Sequence, residues 1–560
     1  MLGYLAPEMI SLWNSAACAA ALLLCGCAST PPATRDAAAL EARVAGALER
    51  RGPSSGSLAQ IGEILAGRTP SPQTPTLVRE LLDQPLRSAD AAAIFSRSVP
   101  ERLVRFVEFA PPSGSGPAQD IRALLDPYLK ELAEAQHALR TASRGTDIDA
   151  TQVLQDLRVD VVSSKAVREL LPVLDLAGLQ RAQALFLDAT LRMTSTLRAA
   201  AGRIRFPEQA ESFDSPIGLV RIGSRGYDEH GPEAALIVDP GGDDLYRRAP
   251  STGGAVSVII DCAGDDLYLG SDIAVHGLSA IVDLAGADRY RMEGPGLGAA
   301  VAGASLLLDF GGDDRYEAGL YGIGAGMLGL GVLVDFAGND RYRVRALGQG
   351  YGGTGGVGLL WDLGGDDEYV AAEGIPDTGW DRGGGVSLVQ GAAFGLRPNY
   401  GGGIGILRDD AGDDRYEAEM FAQGVAYWYG TGLLWDRAGN DRYHAVRYAQ
   451  GSGVHLATGT LRDEAGDDRY SLTVGVGQGM GLDLAVGLLY DGAGNDRYTA
   501  PNLAQGSATD NGIGILIDNG GRDAFKLGGL GWNVAEPSPA RGGPSVGILL
   551  FDPASAGFER

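Results

Sequence analysis

The sequence predicts an α+β multidomain chain: an all-α amino-terminal domain followed by a parallel β-solenoid of about eleven coils. Three observations carry this reading. From Asp239 onward one phrase, Asp-x-Gly/Ala-Gly-x-Asp-x-Tyr, returns eleven times, the last copy closing on Phe525. The position nine before the closing aromatic is Ile or Leu in every copy, from Ile237 to Leu516. Residues 36–206, by contrast, are poor in Gly and repeat their apolar residues at helical spacing.

Composition bounds the rest. At 560 residues the chain has room for two to four domains of about 150 residues. With 45% hydrophobic and 21% charged residues it is neither a disordered tail nor a multi-span membrane protein. Gly reaches 85 residues, about twice the usual share. Only 27 Pro accompany it and no strict Gly-x-y period occurs, which excludes collagen. The formal charge of −25 argues against nucleic acid as a partner, because phosphate binding needs a basic face.

Residues 16–27 read AACAAALLLCGC. The run is too short to span a bilayer and fits the core of a signal peptide. Its end, Leu24-Cys25-Gly26-Cys27, resembles the lipobox of bacterial lipoproteins, though no Lys or Arg precedes the run. The resemblance implies cleavage after Gly26, lipidation of Cys27 and a membrane anchor, in which each buried CH₂ contributes about 0.8 kcal/mol. Ala28, in place of an Asp that favours inner-membrane retention, implies the outer membrane. After cleavage only Cys27 and Cys262 remain, so no internal disulfide forms.

The expected organisation is therefore a signal peptide at 1–26, a tether at 27–35, a helical domain at 36–206, a linker and cap coil at 207–238, repeats at 239–525 and a carboxy-terminal cap at 526–560. In the helical domain Ile121, Leu124, Leu125, Tyr128, Leu129 and Leu132 mark one apolar stripe. Pro111-Pro112 and the Gly and Ser that follow read as a loop. His137 has no partner at metal spacing and reads as a solvated or core residue.

The repeat unit selects the architecture. The closing aromatics are spaced by 22, 22, 26, 26, 27, 47, 27, 27, 28 and 27 residues. A propeller blade needs about 40 residues or more, whereas 22–28 suit a coil of two or three short strands. Stacked in parallel at about 4.8 Å, eleven coils make a rod of roughly 50 Å. Ile/Leu and Tyr then form ladders. A further ladder is expected from the Gln-Gly pairs at Gln349, Gln423, Gln450, Gln478 and Gln505, with stacked amides bonded along the axis. Gly223–Tyr227 reads as a degenerate first copy. Gly547–Asp552 reads as a final coil that restarts without finishing.

Each phrase carries two recurring Asp, and six copies carry a third, so 28 of the 71 acidic residues occupy one type of turn. Stacked carboxylates about 5 Å apart repel by nearly 1 kcal/mol per pair even at the dielectric of water. Arg precedes the aromatic in seven copies and is expected to act as a ladder partner, but it leaves an acidic excess. The phrase resembles the RTX, or haemolysin-type, nonapeptide; in Asp491–Thr499 the match falls on Gly492, Gly494, Asp496 and Tyr498. That resemblance implies Ca²⁺ between coils, with Asp244, Asp266, Asp288, Asp314, Asp340, Asp367, Asp414, Asp441, Asp468, Asp496 and Asp523 as ligands. The family's first Gly is Asp here, and no facing nonapeptide completes the site. The alternative is a metal-free Asp turn whose carboxylates cap backbone N–H groups and pair with Arg.

Spacing 47 exceeds the usual 27 by 20, placing an insertion at about Ala371–Tyr400. Its Trp380, Asp381 and Arg382, with Tyr427, Trp428 and Tyr429 of the next coil, are candidate ligand-binding residues suited to sugar rings. No H-E-x-x-H, P-loop or G-x-S-x-G motif occurs, and Cys262 sits at a variable turn position. The leading functional expectation is a lipid-anchored envelope protein whose solenoid binds a glycan or an envelope protein, with or without stacked Ca²⁺. The alternative is a β-helix polysaccharide lyase or hydrolase.

Overall fold

The computed structural model describes residues 91–108, 117–159, 164–371, 374–376, 384–527, 545–550 and 557–559. The lipobox-like segment with Cys27, the tether, and Trp380, Asp381 and Arg382 lie outside the described residues.

Short apolar runs bounded by Gly become strands, and each strand pairs in parallel with its equivalent one coil away. Leu330–Asp335 lies between Ala304–Asp309 and Val357–Asp362, with Asp309, Asp335 and Asp362 in one register. Arg341–Gly348 lies beside Arg315–Gly322, with Tyr342 opposite Tyr316. The described coils build a 14-stranded sheet from the first set and a 16-stranded sheet from the second. Two-residue strands such as Ala426–Tyr427 and Gly453–Val454 form a third, narrow side. This is a parallel β-solenoid.

Two rows fill the space between the large sheets. The Ile/Leu row, which includes Ile281, Leu333, Leu434 and Leu489, is fully buried against the aromatic row. From Tyr246 to Phe525 the rings stack face to face with centroids 4.6–4.9 Å apart. That spacing equals the strand separation, so neither row distorts the backbone.

The array is longer than the eleven phrases. His230, not Tyr227, is the first rung: its ring stacks on Tyr246 at 4.9 Å, while Tyr227 is 63% exposed. Gly226 and Asp228 stand four and two residues before His230, so the degenerate copy runs to His230. At the other end Gly557–Glu559 pairs with Ala524–Lys526, and the final coil does close. An antiparallel pair, Glu211–Ser215 with Gly218–Ile222, ends the 14-stranded sheet.

Two insertions share the twenty extra residues. Gln390 follows Tyr369 by 21 residues, where Gln349 follows Tyr342 by 7. Ile404 then follows Gln390 by 14, where Val357 follows Gln349 by 8. The first insertion ends in Ile375–Pro376 paired antiparallel with Gly385–Val389. The second holds the turn from Leu396 to Tyr400. Between them Gln390 joins the Gln row and Ala393–Phe394 joins the narrow side.

Six helices of the described residues precede the array. Asp120 caps Ile121–Ala142, accepting the Arg122 N–H at 2.9 Å. That helix packs along Leu176–Ala200, which in turn lies on the strands Leu278–Asp283 and Ala304–Asp309. The helices share one apolar core with the outer side of the 14-stranded sheet. Phe95 of Ala91–Ser98 meets Trp361 edge-on at 5.0 Å and Trp435 at 5.9 Å. The Arg408 guanidinium lies 4.4 Å from Trp361, 4.6 Å from Trp435 and 4.7 Å from Phe95. Asp410 holds that guanidinium by two hydrogen bonds, at 2.7 and 3.1 Å. No helix of the described residues is long and apolar enough to cross a membrane.

Candidate metal centre in the carboxylate column

The repeated turn is held by its own carboxylates. The first Asp of each phrase sits at the end of a strand and is fully buried. In ten of the eleven copies one of its oxygens, Oδ1, accepts the N–H two residues on, as Asp335 does from Ala337 at 3.0 Å and Asp362 from Gly364 at 2.8 Å; Asp491 Oδ1 is the exception and has no hydrogen-bond partner. This is an Asx turn. From Asp261 to Asp491 the other oxygen, Oδ2, accepts the phenol of the previous coil: Tyr268 donates to Asp283, Tyr342 to Asp362 and Tyr416 to Asp436, at 2.5–2.7 Å.

The second Asp links coils through the backbone. Its N–H donates to Oδ1 of the second Asp one coil on, from Asp244 to Asp266 and onward to Asp523, at 2.5–3.2 Å. The Gly between the two Asp makes this approach possible. A Cβ at Gly338 would lie 1.7 Å from the Gly312 carbonyl oxygen, and one at Gly365 would lie 1.4 Å from that of Gly338.

One oxygen per coil is left over. Oδ2 of Asp244, Asp266, Asp288, Asp314, Asp340, Asp367, Asp414, Asp441, Asp468 and Asp496 is buried and has no hydrogen-bond partner. Asp244, Asp266, Asp288 and Asp314 each stand in a cluster of three buried carboxylates, as in Asp261, Asp266 and Asp283 or in Asp309, Asp314 and Asp335. Within each cluster one oxygen per residue lies within 4.8 Å of the others. Asp261, Asp283 and Asp309 each belong to two such clusters.

This crowding is felt in the proton affinities. Burial first, and repulsion from neighbouring carboxylates second, push Asp340 up to about 8, Asp314 to about 9 and Asp367 to about 10. Asp335, Asp409 and Asp463 are driven well above the usual carboxylate range by the same causes. Two carboxylates per coil therefore need compensating positive charge, from protons or from a cation. The donor set is all oxygen, buried and closely spaced, so these clusters could hold metal ions of the hard, oxygen-seeking kind.

The Arg row does not supply that charge. Strand alternation points Tyr inward and the preceding Arg outward, so Arg289, Arg315, Arg442, Arg469 and Arg497 are exposed. None of these five forms an ion pair among the described residues. Arg341 and Arg415 pair instead with Glu368 at 3.3 Å and Glu417 at 2.7 Å. The third Asp is also exposed and serves the backbone, Asp413 accepting the Asn440 N–H at 2.9 Å.

The Gln row differs from a stacked amide ladder. Gln349 and Gly350 both take left-handed backbone, φ 50° and 78°, and turn the chain inward at a corner. The amide then donates to strand carbonyls: Gln423 to Tyr416 at 3.2 Å and to His444 at 3.0 Å. Carbonyl acceptors of the strands outcompete a neighbouring amide. Gln390 does the same, although it stands 26 residues before Tyr416 where Gln349 stands 20 before Tyr369, because the second insertion lies between.

Of the candidate ligand-binding residues in the described part, Tyr427 and Tyr429 are buried. Tyr427 stacks on Phe394 at 4.5 Å, and Tyr429 joins an apolar cluster with Leu456 and Leu484. Trp428 is half-buried, with the Arg397 guanidinium of the second insertion 5.2 Å from its ring. No protein family, curated protein or solved structure matches the chain.

Proposed function

We propose that this chain is a lipid-anchored cell-envelope scaffold whose β-solenoid binds an envelope partner or glycan and is loaded with Ca²⁺ between coils. The observation that carries the calcium reading is the buried, partnerless Oδ2 of ten successive second Asp residues. One divalent ion per coil balances the two recurring carboxylates of that coil. Protons occupy the column when the ion is absent, so loading displaces them. Calcium suits the site better than Mg²⁺, which demands compact octahedral geometry and keeps its waters. The anchor rests on Leu24–Cys27, and the described helices from Ala91–Ser98 to Leu176–Ala200 are assigned as a unit lining the array.

Calorimetric titration of the metal-stripped protein with Ca²⁺ in two buffers of different ionisation enthalpy tests this directly. Binding with proton release, and a melting temperature that rises with Ca²⁺ more than with Mg²⁺, are expected. Melting indifferent to Ca²⁺ and chelator would leave the column metal-free. For the anchor, Cys27→Ser should move the protein from the membrane to the soluble fraction.

A further inference from the structure

The outer side of the Tyr-bearing sheet presents a second column, of opposite sign to the first. In eight successive coils the residue before the aromatic is Arg seven times and Glu once, at Glu368. The strands are in register, Arg415 opposite Arg442, Arg442 opposite Arg469 and Arg469 opposite Arg497. Guanidinium groups therefore repeat at the strand separation, about 4.8 Å. Like charges so close repel by nearly 1 kcal/mol per pair in water. Arg442, Arg469 and Arg497 have no ion-pair partner among the described residues to offset it.

The residue after the aromatic also faces outward and forms the adjoining row. Beside those three Arg it is His444, Ser471 and Thr499, in one register. His444 Nδ1 lies 2.9 Å from Ser471 Oγ. A line of cations thus runs beside a line of hydroxyl and imidazole groups.

The formal −25 includes the 22 recurring Asp of the inner column, which are buried and do not face this side of the sheet.

We infer that this face binds an acidic polysaccharide, a linear polyuronate laid along the solenoid axis. Such a chain carries one carboxylate per sugar ring, and a ring is close to one coil spacing in length. Arg takes the carboxylates by paired N–H donors. Ser471, Thr499 and His444 take ring hydroxyls. Duplex DNA presents one charge per ~1.7 Å of axis on a curved surface, a poor match to one Arg per coil. This inference names the glycan class of the reading above and does not depend on calcium.

The test measures binding of polygalacturonate oligomers to the full chain at low salt, with neutral dextran and duplex DNA as parallel probes. The variant is Arg442→Gln/Arg469→Gln/Arg497→Gln. All three side chains are exposed, so melting and the Ca²⁺ response should match the parent. Polyuronate binding that weakens with salt, and that drops about tenfold or more in the variant, supports the inference. Equal binding by parent and variant overturns it, as does DNA bound as tightly as polyuronate. Dextran bound without polyuronate overturns it while the broader glycan reading stands. Neither saccharide bound by a folded parent overturns both.

Discussion

Tyr342 and Asp362 lie in neighbouring coils, and the Tyr342 phenol donates to Asp362 Oδ2 at 2.5 Å. The bond ties the aromatic row to the carboxylate column. Tyr342→Phe removes the donor and leaves a buried acceptor, which should cost about 1–3 kcal/mol. Asp362 is pushed up to about 6 by burial, against a lowering by this same phenol. The loss should therefore be larger at pH 8 than at pH 5, where a proton replaces the missing donor. Chemical denaturation at the two pH values checks it.

The metal-stripped array should weaken as pH rises. The folded column holds protons that the unfolded chain releases above about 3.8, so unfolding is favoured by alkali. The loss begins as pH passes 3.8 and is complete for each group at its folded value, near 6 for Asp362, 8 for Asp340 and 9 for Asp468. Melting temperatures in chelator should fall steadily from pH 5 to pH 9. Saturating Ca²⁺ should flatten that slope. A melting temperature rising over the same range without metal would contradict the raised proton affinities.

Asp340→Asn separates protons from metal. The amide keeps the acceptor for the Asp314 N–H, which Asp340 Oδ1 takes at 2.6 Å. It also places a permanent donor where the bare Oδ2 stood. Without metal at pH 8 the variant should melt higher than the parent. With Ca²⁺ its gain should be smaller, because one ligand oxygen is lost. Paired melting curves with and without Ca²⁺ read both effects.

Gly439→Ala should break the stack. Its Cβ would lie 1.6 Å from the Gly412 carbonyl oxygen, so two coils would have to part. A loss of about 4 kcal/mol or more is expected, or failure to fold. Gly520→Ala is the matched control: a Cβ there meets nothing within 4 Å and should be nearly neutral. Circular dichroism and denaturant midpoints compare the pair.

Much of this was legible in the repeat. Ile/Leu nine before the ring, Asp seven before it and Gly four before it are local requirements of one strand and one turn, so every copy restates them. Alternation also determined that Arg289 faces away from Asp288, which a count of charges alone did not reveal. Three features escaped for physical reasons. His230 serves as a rung through ring shape, although its coil has Gly223 where the others have Asp. Gln390 was displaced in the count by an insertion that follows it. The docking of Phe95 between Trp361 and Trp435 joins segments far apart in the chain, and no periodicity records such a contact.

Asp309 belongs to the cluster of Asp283 and Asp288 and to the cluster of Asp314 and Asp335. A positive charge admitted on one side of Asp309 therefore changes the affinity of the other side. Along the rod this makes a one-dimensional lattice with nearest-neighbour coupling, in which a filled position and its neighbour are not independent. Where a shared carboxylate is spent on one ion, the next position is less attractive. Where the first ion draws two coils into the spacing the second requires, the next is filled more readily. The shape of the binding isotherm, shallower or steeper than that of separate identical positions, reports which of the two prevails.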